Sequence, residues 1–146
     1  QGGARINEIL ESAGTSMANL HVYASLGVRR YLSLMKYCEF VLGNSSSGII
    51  EAPAFHVPTV DIGDRQRGRL KPGSVINCAP DKKSVAAAMR KAMFEGHREI
   101  CRGVESPYGD GHAAGRIAQK AMETVMEGKI DMKKKFYDIS CFGTVL

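Results

Sequence analysis

GNSSSGIIE, residues Gly43 to Glu51, follows the run EFVL at 39–42, apolar after Glu39, and leads into Ala52 and Pro53. The short run EFVL, a Gly-Asn turn pair, three serines and then Ile49 and Ile50 read as a buried strand that turns into a short helix over 48–55. Ser45, Ser46 and Ser47 are good helix N-caps. Such a turn leaves backbone N–H groups without intrahelical partners, and these groups, with the helix dipole, favour a bound anion. The serine hydroxyls add donors, and Gly48 is expected to let a ligand approach closely. The same residues also describe a capped helix start with spare serines, so the turn alone leaves both readings open.

Outward from this stretch, short apolar runs alternate with longer helical patterns. LHVYA (20–24) is a strand candidate. VRRYLSLMKY (28–37) has its apolar residues at helical spacing, at Val28, Tyr31, Leu32, Leu34 and Met35. Pro58 opens a strand at TVDI (59–62), and SVINC (74–78) is another. Asp81 caps a helix that runs to about Phe94, with Val85, Ala88, Met89 and Ala92 on one face. After Gly96 the pattern weakens through SPYGDGH (106–112), where Asp110 is a candidate cap. A long helix then fits 113–127 and ends at Gly128. Four strand candidates alternating with helices predict an α/β fold, a Rossmann-like parallel sheet with helices on both faces. Ligands of such sheets bind beyond the carboxyl ends of the strands, which is where the serine turn falls.

The totals set the outer bounds. A chain of 146 residues suits one domain with a real core. No apolar run nears the roughly 20 residues that cross a bilayer, so no membrane span is expected. The first residues lack both a signal-peptide pattern and an initiator Met, which suits a piece of a longer protein. The net charge of +5 comes from scattered lysines and arginines with few aromatics between them, which argues against nucleic acid and for a small polyanion. The only dense basic run is Lys133 to Lys135. Cys38, Cys78, Cys101 and Cys141 form no CxxC pair, so neither a metal site nor a disulfide framework is expected. Cys38 and Cys78 read as small core residues. The location expected is cytoplasmic.

Three further groups bear on chemistry. Glu51 projects toward the serine end of the helix; it suits hydrogen bonds from ribose hydroxyls, or a capping box. GDRQRGR (63–69) puts Arg65, Arg67 and Arg69 beyond the next strand end, where arginine grips phosphate in two-pronged fashion. Their alternate spacing allows at most two to face one ligand, and Gln66 is suited to a sugar or base edge. His21, His56, His97 and His112 show no metal-ligand spacing and no triad, so none is assigned to catalysis.

GNSSSGIIEAP, DIGDRQRGR, VINC and SPYGDGHAAGRI, in this order, resemble the C-terminal half of the UDP-N-acetylglucosamine 2-epimerases. The first and second motifs together are most similar to the hydrolysing branch, which makes N-acetylmannosamine and UDP for sialic acid synthesis. The resemblance implies one half of a two-domain glycosyltransferase-B-type fold, with residues 1–128 as the UDP-binding domain and 129–146 as a C-terminal tail. It implies that Ser45 and Ser46, with Ser47 beside them, meet the diphosphate. It further implies that Glu51 holds the ribose, that Arg65 lies near the phosphates, and that Leu26 and Tyr31 sit by the uracil. The family removes the sugar C2 proton and eliminates UDP, giving a 2-acetamidoglucal to which water or UDP adds. Its acid/base residues lie in the N-terminal half, so no catalytic residue is expected in this stretch, and neither a metal nor a cofactor. The expected partners are a UDP-sugar, the N-terminal half of the same enzyme and a second copy in a homodimer. Two other readings stay open. One is a non-hydrolysing or diacetamido-bacillosamine 2-epimerase; the other, of a different class, is a stand-alone nucleotide-binding or regulatory domain.

Overall fold

The structure, a computed structural model, describes residues 3–128 and Lys133. The chain divides into two compact units, Gln1–Tyr108 and Gly109–Leu146. The expected tail, 129–146, lies outside the described residues apart from Lys133.

The first unit runs α1 (Gly3–Ser16), α2 (Gly27–Tyr37), β1 (Val41–Gly43), α3 (Ser47–Ile50), a 3-10 turn (Ala52–Phe55), β2 (Thr59–Ile62), β3 (Val75–Cys78), α4 (Lys82–Met93) and α5 (Glu95–Arg102). The strands form a parallel sheet in the order β1-β2-β3, with Val41 opposite Thr59 and Thr59 opposite Val75. Side chains alternate across a strand. Val60 and Ile76 therefore pack against Ala88 and Ala92 of α4, while Thr59, one residue along, meets Gly48 of α3. A second apolar cluster joins Met35 of α2 to Ala52 and Val57. The expected α/β sheet with helices on both faces is what forms.

Three expectations need correcting. LHVYA is no strand: residues 20–24 are exposed and irregular except at half-buried Leu20, and Val22 leans on Gly14 of α1 rather than entering the sheet. A strand exists only through its ladder, and none reaches this segment. Residues 95–102 are helical despite their weak pattern, because the buried stripe of α5 is His97 and Cys101, an i, i+4 pair that an apolar count overlooks. Cys38 and Cys78 pack against the two apolar clusters as expected but are half-buried, and it is Cys101 that is fully enclosed. Burial pushes all three thiols up from their ordinary value. Residues 3–16, which carried no assignment, form α1, with Ile6, Ile9, Leu10 and Ala13 at helical spacing.

Asp81 caps α4 as expected, accepting from the Ser84 N–H at 2.9 Å. Hydrogen bonds from the side chain and backbone of Ser84 hold its carboxyl below the usual aspartate value. A depressed folded value means a contribution to stability that is present above the unfolded value and lost as pH falls through the folded one. An NMR titration is therefore expected to place the Asp81 midpoint below that of an unfolded aspartate. A midpoint at or above it would contradict the cap.

In the second unit, α6 (Ala113–Met126) ends where Gly128 adopts φ of 64°. Asp110 stands two residues ahead of the N-cap, His112. It accepts from the His112 N–H at 3.0 Å and from Arg116 at 2.9 and 3.0 Å, so its role is to fasten this turn.

Candidate functional site

Short apolar strands force the chain out of the sheet at Gly43, Ile62 and Cys78, and the loops beyond those carboxyl ends make the site. Gly43, with φ of 154°, opens the turn to Asn44 and the serines. Helical bonding starts with Gly48 and Ile49, which donate to the Ser45 and Ser46 carbonyls, so the helix does not use the amides of Ser45 and Ser46. Ser46 is the N-cap but makes no side-chain cap bond; Ser45 Oγ accepts weakly from Ser47 N–H at 3.3 Å. The expected dipole is small, since α3 has four residues. The donors this turn offers are chiefly its hydroxyls and backbone amides and the nearby cations.

Those cations arrive on the 63–73 loop. Gln66 Nε2 donates to the Asn44 carbonyl at 2.7 Å and Arg65 donates to Asn44 Oδ1 at 3.3 Å, so the arginine loop is tied to the serine turn. Arg67 and Arg69 are exposed. Gln66 is 3% exposed and braces the turn through Nε2, while its Oε1 is buried with no hydrogen-bond partner among the described residues. From α2, the Tyr31 hydroxyl and Ser47 Oγ share a hydrogen bond of 2.8 Å. Glu51 donates its N–H to the Ser47 carbonyl and makes no cap bond, so the capping box does not form. Its Oε2 is buried with no hydrogen-bond partner among the described residues.

Gly48 serves a different purpose from the one expected. A Cβ there would stand 2.6 Å from Thr59 Cγ2, and Thr59 Oγ1 donates to the Gly48 carbonyl at 2.7 Å. The missing side chain lets α3 sit on β2, not a ligand on α3. Leu26, just before α2, lies on a groove of about 910 Å³ with Tyr23, Arg30 and Tyr37, and among the described residues no hydrogen bond joins it to the serine turn. The structure thus bonds Tyr31 to Ser47 and Arg65 to Asn44 at the serine turn, with Glu51 directly after α3 and Leu26 on the groove ahead of α2.

Beneath the arginine loop is a charged cluster with no sequence signal. Asp61, 1% exposed, pairs with Lys71 at 2.8 Å, and Asn77 bridges both to Gly63. Asn44, by contrast, was legible as a turn residue but not as the anchor for two side chains. His97 bonds the Ser74 carbonyl and His56 the Cys101 carbonyl, both structural contacts. Among the described residues no group of three His, Cys, Asp or Glu could hold a metal, and no helix is long and apolar enough to cross a membrane.

A parallel sheet flanked by helices, with its loops gathered at the strands' carboxyl ends, defines a Rossmann-like half-domain of the glycosyltransferase-B kind. More particularly, the chain belongs to the UDP-N-acetylglucosamine 2-epimerase family, whose model matches residues 1–122. It is 45% identical over 80 residues to a Campylobacter jejuni protein named GDP/UDP-N,N'-diacetylbacillosamine 2-epimerase (hydrolyzing), covering 53% of this chain and 20% of that one. It is 34% identical over 109 residues to the Escherichia coli polysialic acid biosynthesis protein P7, covering 75% and 28%. With a Neisseria meningitidis UDP-N-acetylglucosamine 2-epimerase it shares 36% over 77 residues, covering 53% and 20%. The chain spans 20% to 30% of the length of the curated relatives it matches.

Proposed function

We propose that this chain is the UDP-binding part of a hydrolysing UDP-N-acetylglucosamine 2-epimerase, which releases N-acetylmannosamine and UDP in the cytoplasm. The observation that carries the reading is the meeting of the serine turn, Arg65 and Tyr31 at the carboxyl end of β1. Ser45, Ser46 and Ser47 with Arg65 suit a diphosphate: hydroxyl and guanidinium donors converge, and a leaving UDP gains negative charge that such donors stabilise. Glu51 supports the nucleoside end. A buried carboxylate oxygen without a partner is costly, and a ribose diol supplies donors for it. Tyr31 offers a ring to the base, and Leu26 its backbone. The groups that move protons belong to the other half of the enzyme, so this stretch holds the leaving group and the intact protein turns it over.

Titration with UDP, UMP and uridine tests the site. Affinity is expected to rise with phosphate number, by about tenfold or more per phosphate if each adds a charge-assisted bond. Equal affinity for all three would remove the phosphate assignment. The similarity to the Campylobacter jejuni protein favours a second reading, in which the sugar is diacetylated bacillosamine. Incubating the intact protein with each UDP-sugar and identifying the released sugar separates the two.

A further inference from the structure

We infer that Lys71 is a positioning residue of the diphosphate site, fixing the 63–73 loop so that Arg65 and Gln66 stay on the serine turn; this rests on the UDP reading above. The loop begins and ends on the same cluster. At its start, Asn77 Nδ2 donates to the Gly63 carbonyl at 2.9 Å and to the Asp61 carbonyl at 2.8 Å. At its end, the Lys71 ammonium donates to Asp61 Oδ2 at 2.8 Å and to Asn77 Oδ1 at 3.0 Å. One ammonium and one amide therefore close the loop on the ends of β2 and β3. Between these anchors Gln66 and Arg65 reach Asn44.

Charge and conformation explain why this anchor controls the site. The Asp61 side chain is 2% exposed and that of Lys71 is 20% exposed. A buried carboxylate that loses its cation is left uncompensated, and it regains solvation by letting water in beneath the loop. Apart from the contacts to Asn44, the loop is held by the Gly63 N–H on the Cys78 carbonyl and by short-range turns, Arg67 N–H to the Asp64 carbonyl and Arg69 N–H to the Gln66 carbonyl, none of which fixes its far end. The Tyr108 hydroxyl bonds the Leu70 carbonyl at 2.8 Å, a single tether on the far side. Two of the three Lys71 N–H donors go to Asp61 and Asn77, which fixes the ammonium at the ends of the loop rather than at the serine turn.

The test uses the intact protein, with UDP and uridine affinities and a melting curve for Lys71→Met, Lys71→Arg and the double variant Asp61→Asn/Lys71→Met. Lys71→Met is expected to weaken UDP by about tenfold to a hundredfold, the scale of losing one charge-assisted contact, and to leave uridine nearly unchanged. Lys71→Arg should recover most of the UDP affinity. The double variant removes the buried charge, so it should regain the melting temperature but not the UDP affinity; it carries the test if Lys71→Met fails to fold. Full recovery of UDP affinity in the double variant would make the pair merely structural and overturn the inference. Equal losses for UDP and uridine would do the same. Wild-type protein that binds no UDP would instead overturn the site reading on which it rests.

Discussion

Ser46→Asp is expected to weaken UDP binding by about a hundredfold to a thousandfold while leaving the fold intact. Two like charges 4 Å apart at an effective dielectric of about 20 repel by roughly 4 kcal/mol, about a thousandfold in affinity, and salt lowers this for a half-exposed group. Ser46 is half-buried at the N-cap of α3 and makes no side-chain cap bond, so the substitution breaks nothing in the protein. Aspartate is as good an N-cap as serine, so the turn should keep or gain stability. Stability and binding are thus expected to part company. Calorimetric titration with UDP alongside a melting curve reads both. UDP affinity within a few-fold of wild type, in a folded variant, would mean that no phosphate lies at this turn.

Much of the frame was legible because it is local. TVDI between Pro58 and a glycine loop reads as a strand from four adjacent residues, and Asp81 announces α4 with one side chain. The serine turn is local too, so its place at a strand's carboxyl end followed from order along the chain. What escaped depends on partners distant in sequence. LHVYA alternates like a strand yet packs on α1, and no pattern within five residues states whether a ladder exists. Helix α5 hides its inward face in His97, whose ring bonds the Ser74 carbonyl, and in Cys101, whose backbone carbonyl is bonded by His56 just after the 3-10 turn.

The same division holds within the site. Tyr31 and Ser47 are 16 residues apart, and Arg65 and Asn44 are 21 apart, so their contacts come from sheet order. Asp61 lies in the run TVDI, where strand alternation alone predicts a residue facing away from Val60. Only the return of the loop at Lys71 shows that this second face is also covered and that the carboxylate needs a cation. Gln66 looked available for a ligand because polar loop residues usually are. Its Nε2 is a strut between two loops, a contact across 22 residues that no local pattern states.

Gly48→Ala is expected to cost about 2–3 kcal/mol, at the upper range for overpacking a tight core by one methyl. The new Cβ would meet Thr59 Cγ2 at 2.6 Å, well inside contact distance, and Thr59 cannot swing away easily. Its residue is 2% exposed, it lies on the central strand, and its hydroxyl is bonded to the Gly48 carbonyl itself. A β-branched side chain has few rotamers to offer in any case. The clash involves the methyl and not the hydroxyl, which gives a specific rescue. Thr59→Ser deletes Cγ2 and keeps the hydrogen bond, so Gly48→Ala/Thr59→Ser should recover most of what Gly48→Ala loses. Denaturant melts of both single variants and the double measure this coupling. Because α3 carries the serine turn, Gly48→Ala should also weaken UDP, and the double variant should restore affinity and stability together. Additive losses in the double variant would mean that α3 is not held off β2 by this methyl.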